Sequence, residues 1–147
     1  MYGKNNILKE EIFYQFNGAD FMREWDQLNN CEITQHGEEV IVNAHFSDPH
    51  FANNMNFYFK NDSDYFIKLK MLSSEPSFVQ IFFKYGSGIY NEKGSIKLST
   101  KKGLNNFLIK IPWGRNNIRI DPGENSGIYI IKDLSIYGCK KYNYNNF

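Results

Sequence analysis

At 147 residues the chain has the length of one domain, since two would each approach the size at which a core becomes too small to hold itself together. With 41% hydrophobic and 22% charged residues it lies outside the range of disordered chains, and it carries no apolar run long enough to span a bilayer. A formal net charge of +1 excludes the concentrated basicity of a duplex nucleic-acid binder, so function has to come from a local site.

Aromatic residues make up 17% of the chain, and Ile (16), Phe (13) and Tyr (10) far outnumber Leu (8) and Ala (3), a balance that suits pleated, half-buried surfaces. The start, Met1 to Asn6, shows one Lys among polar residues and no apolar leader pattern, and Cys31 and Cys139 have neither metal-ligand nor redox-motif spacing; together these point to the cytoplasm. Ile12 to Phe16 reads as a strand ended by Asn17-Gly18. Asp20 to Asn30 places Phe21, Met22, Trp25 and Leu28 at helical spacing over too short a stretch, and is expected to be a loop with one helical turn and Trp25 in the core. Cys31 to His36, a turn at Gly37, and Glu39 to Phe46 follow, the last with period-two alternation of Val40, Val42, Ala44 and Phe46.

Beyond Asp48-Pro49 come a short apolar patch from Met55 to Phe59 and the turn Asn61 to Asp64. Tyr65 to Leu72 and Phe78 to Tyr85 read as a strand pair joined by Ser73 to Pro76. Alternation recurs around Ile96 and Leu98, through Phe107, Ile109 and Ile111, and at Ile118 and Ile120 against Asn117, Arg119 and Asp121. Ile128 to Tyr137 reads as a strand deep inside a sheet. About nine or ten strands without helix alternation predict an all-β fold, a two-sheet antiparallel β-sandwich of jelly-roll, galactose-binding-like form. The single domain would have an ordered core over about 10–140, with mobile ends before Lys9 and after Lys141.

The order of features from Trp25 onward resembles carbohydrate-binding-module-like β-sandwich domains attached to bacterial glycosyltransferases and glycan-synthesis proteins. The residues that carry it are Trp25; Glu39 to Phe46 closed by Ser47-Asp48-Pro49; Tyr65 to Lys70; Phe82-Phe83; Leu108 to Pro112; Ile118-Arg119-Ile120-Asp121-Pro122-Gly123; Gly127; and Ile131 to Ile136. It spans roughly residues 10 to 138. The resemblance implies a non-catalytic accessory jelly roll in contact with a glycan or saccharide, working beside a glycosyltransferase catalytic domain that these residues do not include. It also implies a structural calcium, for which Glu11 near the first strand and Asp133 in the last hold comparable places along the chain.

Saccharide binding asks for exposed aromatic faces and planar polar groups. Trp113, between Pro112 and Gly114, and Tyr85 and Tyr90, flanking a Gly-rich turn, meet the first need. Arg119 and Asp121 share one face of a strand and either pair with each other or offer a fork to a ligand. Lys68, Lys70, Lys97 and Lys110 form a basic row if their strands are neighbours, which serves solubility or an acidic glycan. His36, His45 and His50 match no ligand motif, and no nucleophile, zinc-protease, phosphate-loop or dinucleotide signature occurs, so the chain reads as non-catalytic. The alternative is a protein-interaction module whose exposed aromatics and sheet face dock a partner chain.

Overall fold

The computed structural model describes residues 10–141, so the ends expected to be mobile, before Lys9 and after Lys141, lie outside the described residues. In chain order the elements are β1 (Glu10–Tyr14), α1 (Gly18–Glu24), β2 (Trp25–Asn29), β3 (Cys31–His36), β4 (Glu39–Ala44), β5 (His50–Asn53), β6 (Ser63–Ser73), β7 (Ser77–Lys84), a 3-10 turn at Glu92–Gly94, β8 (Ser95–Thr100), β9 (Gly103–Lys110), β10 (Asn117–Asp121) and β11 (Gly127–Lys140). All strand pairs are antiparallel. A six-stranded sheet runs β3-β4-β11-β6-β9, with β1 on β11, and a five-stranded sheet runs β2-β5-β10-β7-β8. This is the two-layer jelly-roll sandwich that the alternating pattern predicts. No helix among the described residues is long and apolar enough to cross a membrane.

Period two in the sequence becomes the core directly. Val40, Val42, Ile67, Leu69, Met71, Ile131, Leu134 and Ile136 from the larger sheet meet Phe51, Val79, Ile81, Phe83, Ile118 and Ile120 from the smaller, all essentially inaccessible. On β11 the residues Ile131 and Leu134 are three apart, which in a regular strand would put them on opposite faces. A bulge between Ile131 and Asp133 absorbs one residue, so that Ile131 faces Met71, Leu134 faces Leu69, and both point inward. Ile128 and Ile130 therefore lie on the outer face, and Ile128 is half exposed.

Two local expectations are corrected. Residues 20–30 are not a loop with one turn but α1 followed directly by β2. Asn17 caps the helix through its side-chain oxygen, which accepts from the Ala19 backbone N–H at 2.9 Å. Phe21 then lies fully buried and stacked on Trp25, with Phe51 edge-on to both, so packing holds a helix too short to stand on propensity. Next, β6 and β7 are not a hairpin: both edges of β6 are taken by β11 and β9, while β7 pairs with β10 and β8, so Ser74 to Pro76 cross from one sheet to the other. The apolar patch Met55 to Phe59 lies outside the strands, in the connection between β5 and β6. Its Phe57 and Phe59 join Phe13, Tyr14 and Tyr65 in a cluster of rings with centroids 4.3–6.2 Å apart.

Candidate functional site

At one end of the sandwich the connection between β5 and β6 with the start of β6, and the connection 111–116 between β9 and β10, rise as the walls of an open cleft of about 800 Å³. That size is ample for a sugar or short oligosaccharide, since ligand sites commonly hold about 300–1,000 Å³. Its floor is the aromatic cluster, where Phe59 and Tyr65 approach to 4.3 Å. Backbone bonds fix both walls. Lys60 N–H donates to the Tyr65 hydroxyl at 2.9 Å, Ile111 N–H to the Tyr65 carbonyl at 2.8 Å, and Phe57 N–H to the Asn116 carbonyl at 2.9 Å, which ties one wall to the other.

Trp113 sits on the second wall with 72% of its surface exposed, and Tyr58 on the first with 82%. Gly114 follows Trp113 at φ +80 and lies under the Tyr85 ring, where a Cβ would come within 3.1 Å of Tyr85 Cε1; only glycine suits both the angle and the contact. The Arg115 guanidinium lies 4.1 Å from the centroid of the same Tyr85 ring. Such stacking uses the guanidinium face and leaves its in-plane N–H fork available. Lys110 lines the cleft, with its Nζ 3.7 Å from Asp64 Oδ2, while Lys141 Nζ is 3.8 Å from Asp64 Oδ1. The side-chain oxygen of Asn116, another lining residue, is buried without a hydrogen-bond partner among the described residues.

Of the residues read from the sequence, the cleft thus gathers Trp113 and Lys110, with Tyr85 behind the wall as the platform for Arg115. Tyr90 lies in the connection after β7 with its ring centroid 4.7 Å from Lys84 Nζ, and Arg119 and Asp121 belong elsewhere, on the outer face of the five-stranded sheet. There Arg119 Nε and Nη2 each donate to Asp121 at 2.8 Å, Nη2 lies 3.2 Å from His50 Nδ1 and 3.9 Å from Asp48, and the guanidinium carbon sits 4.4 Å from the Phe82 ring centroid. Asp48, His50 and Asp121 hold ligand atoms within 4.8 Å of one another, the geometry of a cation site, but the charge they surround is the guanidinium. Of the two readings of Arg119 and Asp121, the structure shows the internal pair. Burial raises the Asp121 carboxyl above its usual range despite the pull of Arg119, and burial pushes Tyr90 up to about 12.

The basic row assembles only in part: Lys68, Lys70 and Lys110 share the outer face of the neighbouring strands β6 and β9, and Lys97 does not join them. Lys68 and Lys70 lie on β6 and Lys110 on β9 in the larger sheet, but Lys97 is on β8 in the other and pairs with Glu124 at 2.6 Å. Lys68 stands opposite Leu108 on an outer sheet face away from Trp113. Glu11 and Asp133 do not fit a shared calcium either. Glu11 is opposite Gly138, five residues along β11 from Asp133, a separation of about 16 Å at the rise of a strand. The Asp133 carboxylate instead accepts from the Ser135 hydroxyl. Sequence reasoning missed Tyr58, Lys60, Arg115, Asn116 and Lys141. The alternation of Tyr58 with Phe57 and Phe59 was the available signal, because it turns one ring outward when its neighbours turn in.

No family model and no curated protein sequence matches the chain. Solved structures do match its fold. A variant of a family 29 carbohydrate-binding module superposes with a TM-score of 0.58 at 13% identity, covering 88% of this chain and 91% of that one. Another variant of that module, complexed with cellulohexaose, gives 0.60 at 11% identity over 90% and 93%. A family 4 carbohydrate-binding module gives 0.56 at 10% identity over 92% and 90%. At these identities the likeness is one of fold.

Proposed function

We propose that the chain is a non-catalytic saccharide-binding module and that the sugar seats in the cleft beside Trp113. The carrying observation is the exposed Trp113 indole on a backbone-bonded wall, with Tyr58 across an open cleft that also presents planar polar groups. The indole face would cover the apolar C–H face of a pyranose, while Asn116, Arg115 and Lys110 hydrogen-bond its rim hydroxyls. The carbohydrate-binding modules that share the fold support the ligand class. Among the described lining residues the only carboxylate is Asp64, set between two lysines, whereas glycoside hydrolysis takes two facing carboxyl groups; this supports a binding role. The sequence resemblance supports the further reading that the module holds a glycan-synthesis enzyme, such as a glycosyltransferase, at its product.

A second reading rests on the outer face of the larger sheet, where Leu108 is 68% exposed beside Phe66 and Tyr137, an apolar patch suited to a protein partner. A glycan-array screen with Trp113→Ala and Leu108→Ser variants separates the two. The saccharide reading expects array binding that Trp113→Ala weakens at least tenfold, about 1.4 kcal/mol, and that Leu108→Ser leaves unchanged. Silence of the folded chain across the array would contradict it and favour the patch.

A further inference from the structure

The charge of the cleft is out of proportion to that of the chain. Its lining includes Lys60, Lys110, Lys141 and Arg115 against the single carboxylate of Asp64, a net +3, in a chain whose formal net charge is +1. The remainder of the molecule is therefore net acidic, and the cations are concentrated where the exposed indole stands. Asp64 is spread between Lys110 and Lys141 at 3.7 and 3.8 Å, beyond hydrogen-bond range for both. Lys60 and Arg115 make no ion pair among the described residues. The next acid in the turn, Asp62, is outside the lining and accepts from the Ser63 hydroxyl.

The surroundings differ on the other two faces. On the five-stranded sheet Arg119 is saturated by Asp121 and His50, Lys97 by Glu124, and on the larger sheet Lys132 by Glu39 at 2.6 Å. These three cations are held by partners at 2.6–3.2 Å, whereas the four of the cleft have no acid closer than 3.7 Å and stand together beside the exposed indole. A guanidinium fixed by stacking, with its fork free, matches the two oxygens of a carboxylate, sulfate or phosphate bidentately, whereas the lysines act as point charges on either side.

From this arrangement we infer that the cleft is built for an anionic saccharide, one bearing a carboxylate or a sulfate or phosphate ester, with Arg115 and Lys60 meeting the anion and Trp113 the ring. The inference rests on the saccharide reading above and adds its ligand class. Charge attraction makes binding salt-dependent, and the indole contact does not.

The test uses the full chain and calorimetric titration with matched oligosaccharides: trigalacturonate against its methyl ester, and cellohexaose against sulfated cellohexaose, at 50 and 300 mM salt. The expected result is that one anionic member of a pair binds at least tenfold tighter than its neutral counterpart and that its affinity drops severalfold at the higher salt. Preference for the uronate or for the sulfate identifies which anion the fork takes. Lys60→Gln, at an exposed position, lowers the affinity for the anionic sugar threefold or more and leaves the neutral one unchanged, while Trp113→Ala weakens both. Equal binding of neutral and charged members, still lost in Trp113→Ala, would overturn the anionic class while sustaining the saccharide reading. Failure of every sugar, neutral and charged, would remove both. An oligonucleotide of the same charge binding as tightly as the anionic sugar would also overturn the inference, since charge alone would then account for the cleft.

Discussion

Replacing Arg119 by Met should cost the fold far more than a surface charge would. The side chain is 19% exposed and that of its partner Asp121 only 10%, with two hydrogen bonds of 2.8 Å between them. Met retains packing over Phe82 but leaves the carboxylate desolvated with no counter-charge. Breaking a buried pair this way costs about 3–5 kcal/mol, and the residual exposure places this case near 3. For a chain of this length that corresponds to roughly a 10 °C drop in melting temperature.

The deficit carries a pH signature. Burial already raises the Asp121 carboxyl, with Arg119 pulling the other way, so removing Arg119 raises it further. A carboxyl raised in the folded state destabilises when ionised, at pH above its folded value, and ceases to do so as the pH falls and it protonates. The difference between variant and parent is therefore greatest near pH 7 and shrinks towards pH 4. Urea denaturation of both proteins at pH 7 and pH 4 measures this. A loss under 1 kcal/mol at pH 7, or one that grows on acidification, would refute the reasoning.

Other consequences are as direct. Phe21→Ala removes a fully buried ring stacked on Trp25, and chemical denaturation should show a loss of about 3–4 kcal/mol. Gly123→Ala places a Cβ against the hydroxyl and ring of the buried Tyr129, whose O–H donates to the Asn125 carbonyl, and should cost about 1–3 kcal/mol, part of it recovered when Tyr129→Ala is combined with it. Tyr90 ionises at about 12, so the ultraviolet difference between the chain and Tyr90→Phe should stay flat up to pH 10; a phenolate signal below that would place Tyr90 in water.

The strands were legible because each buries one face, and alternation such as Val40, Val42 and Ala44 records that locally. Which sheet a strand joins is a different kind of information. Ser73 to Pro76 looks like a hairpin connection, yet the competing edges of β11 and β9, far away in sequence, take β6 from its neighbour. The same ambiguity took Lys97 out of the lysine row, since it sits in the other sheet from Lys68, Lys70 and Lys110. Helix α1 was half visible, in Phe21 and Trp25 at helical spacing, but its existence depends on Phe51, which lies across the core from it. Trp113 could be read from its Pro-Trp-Gly setting alone. The cleft could not, because its walls are some fifty residues apart and become neighbours only through bonds such as Phe57 to Asn116 and Ile111 to Tyr65.

The two tryptophans offer the most direct test of the central claim, because one is 72% exposed in the cleft and the other 3% exposed in the core. Their indole N–H signals can be followed by nuclear magnetic resonance as the oligosaccharides are titrated in. A saccharide seated in the cleft shifts the Trp113 indole signal in a saturable way and leaves that of Trp25, whose N–H donates to the Tyr14 hydroxyl, in place. A saccharide that binds while the Trp113 signal stays fixed would contradict the account and move the site elsewhere on the sandwich.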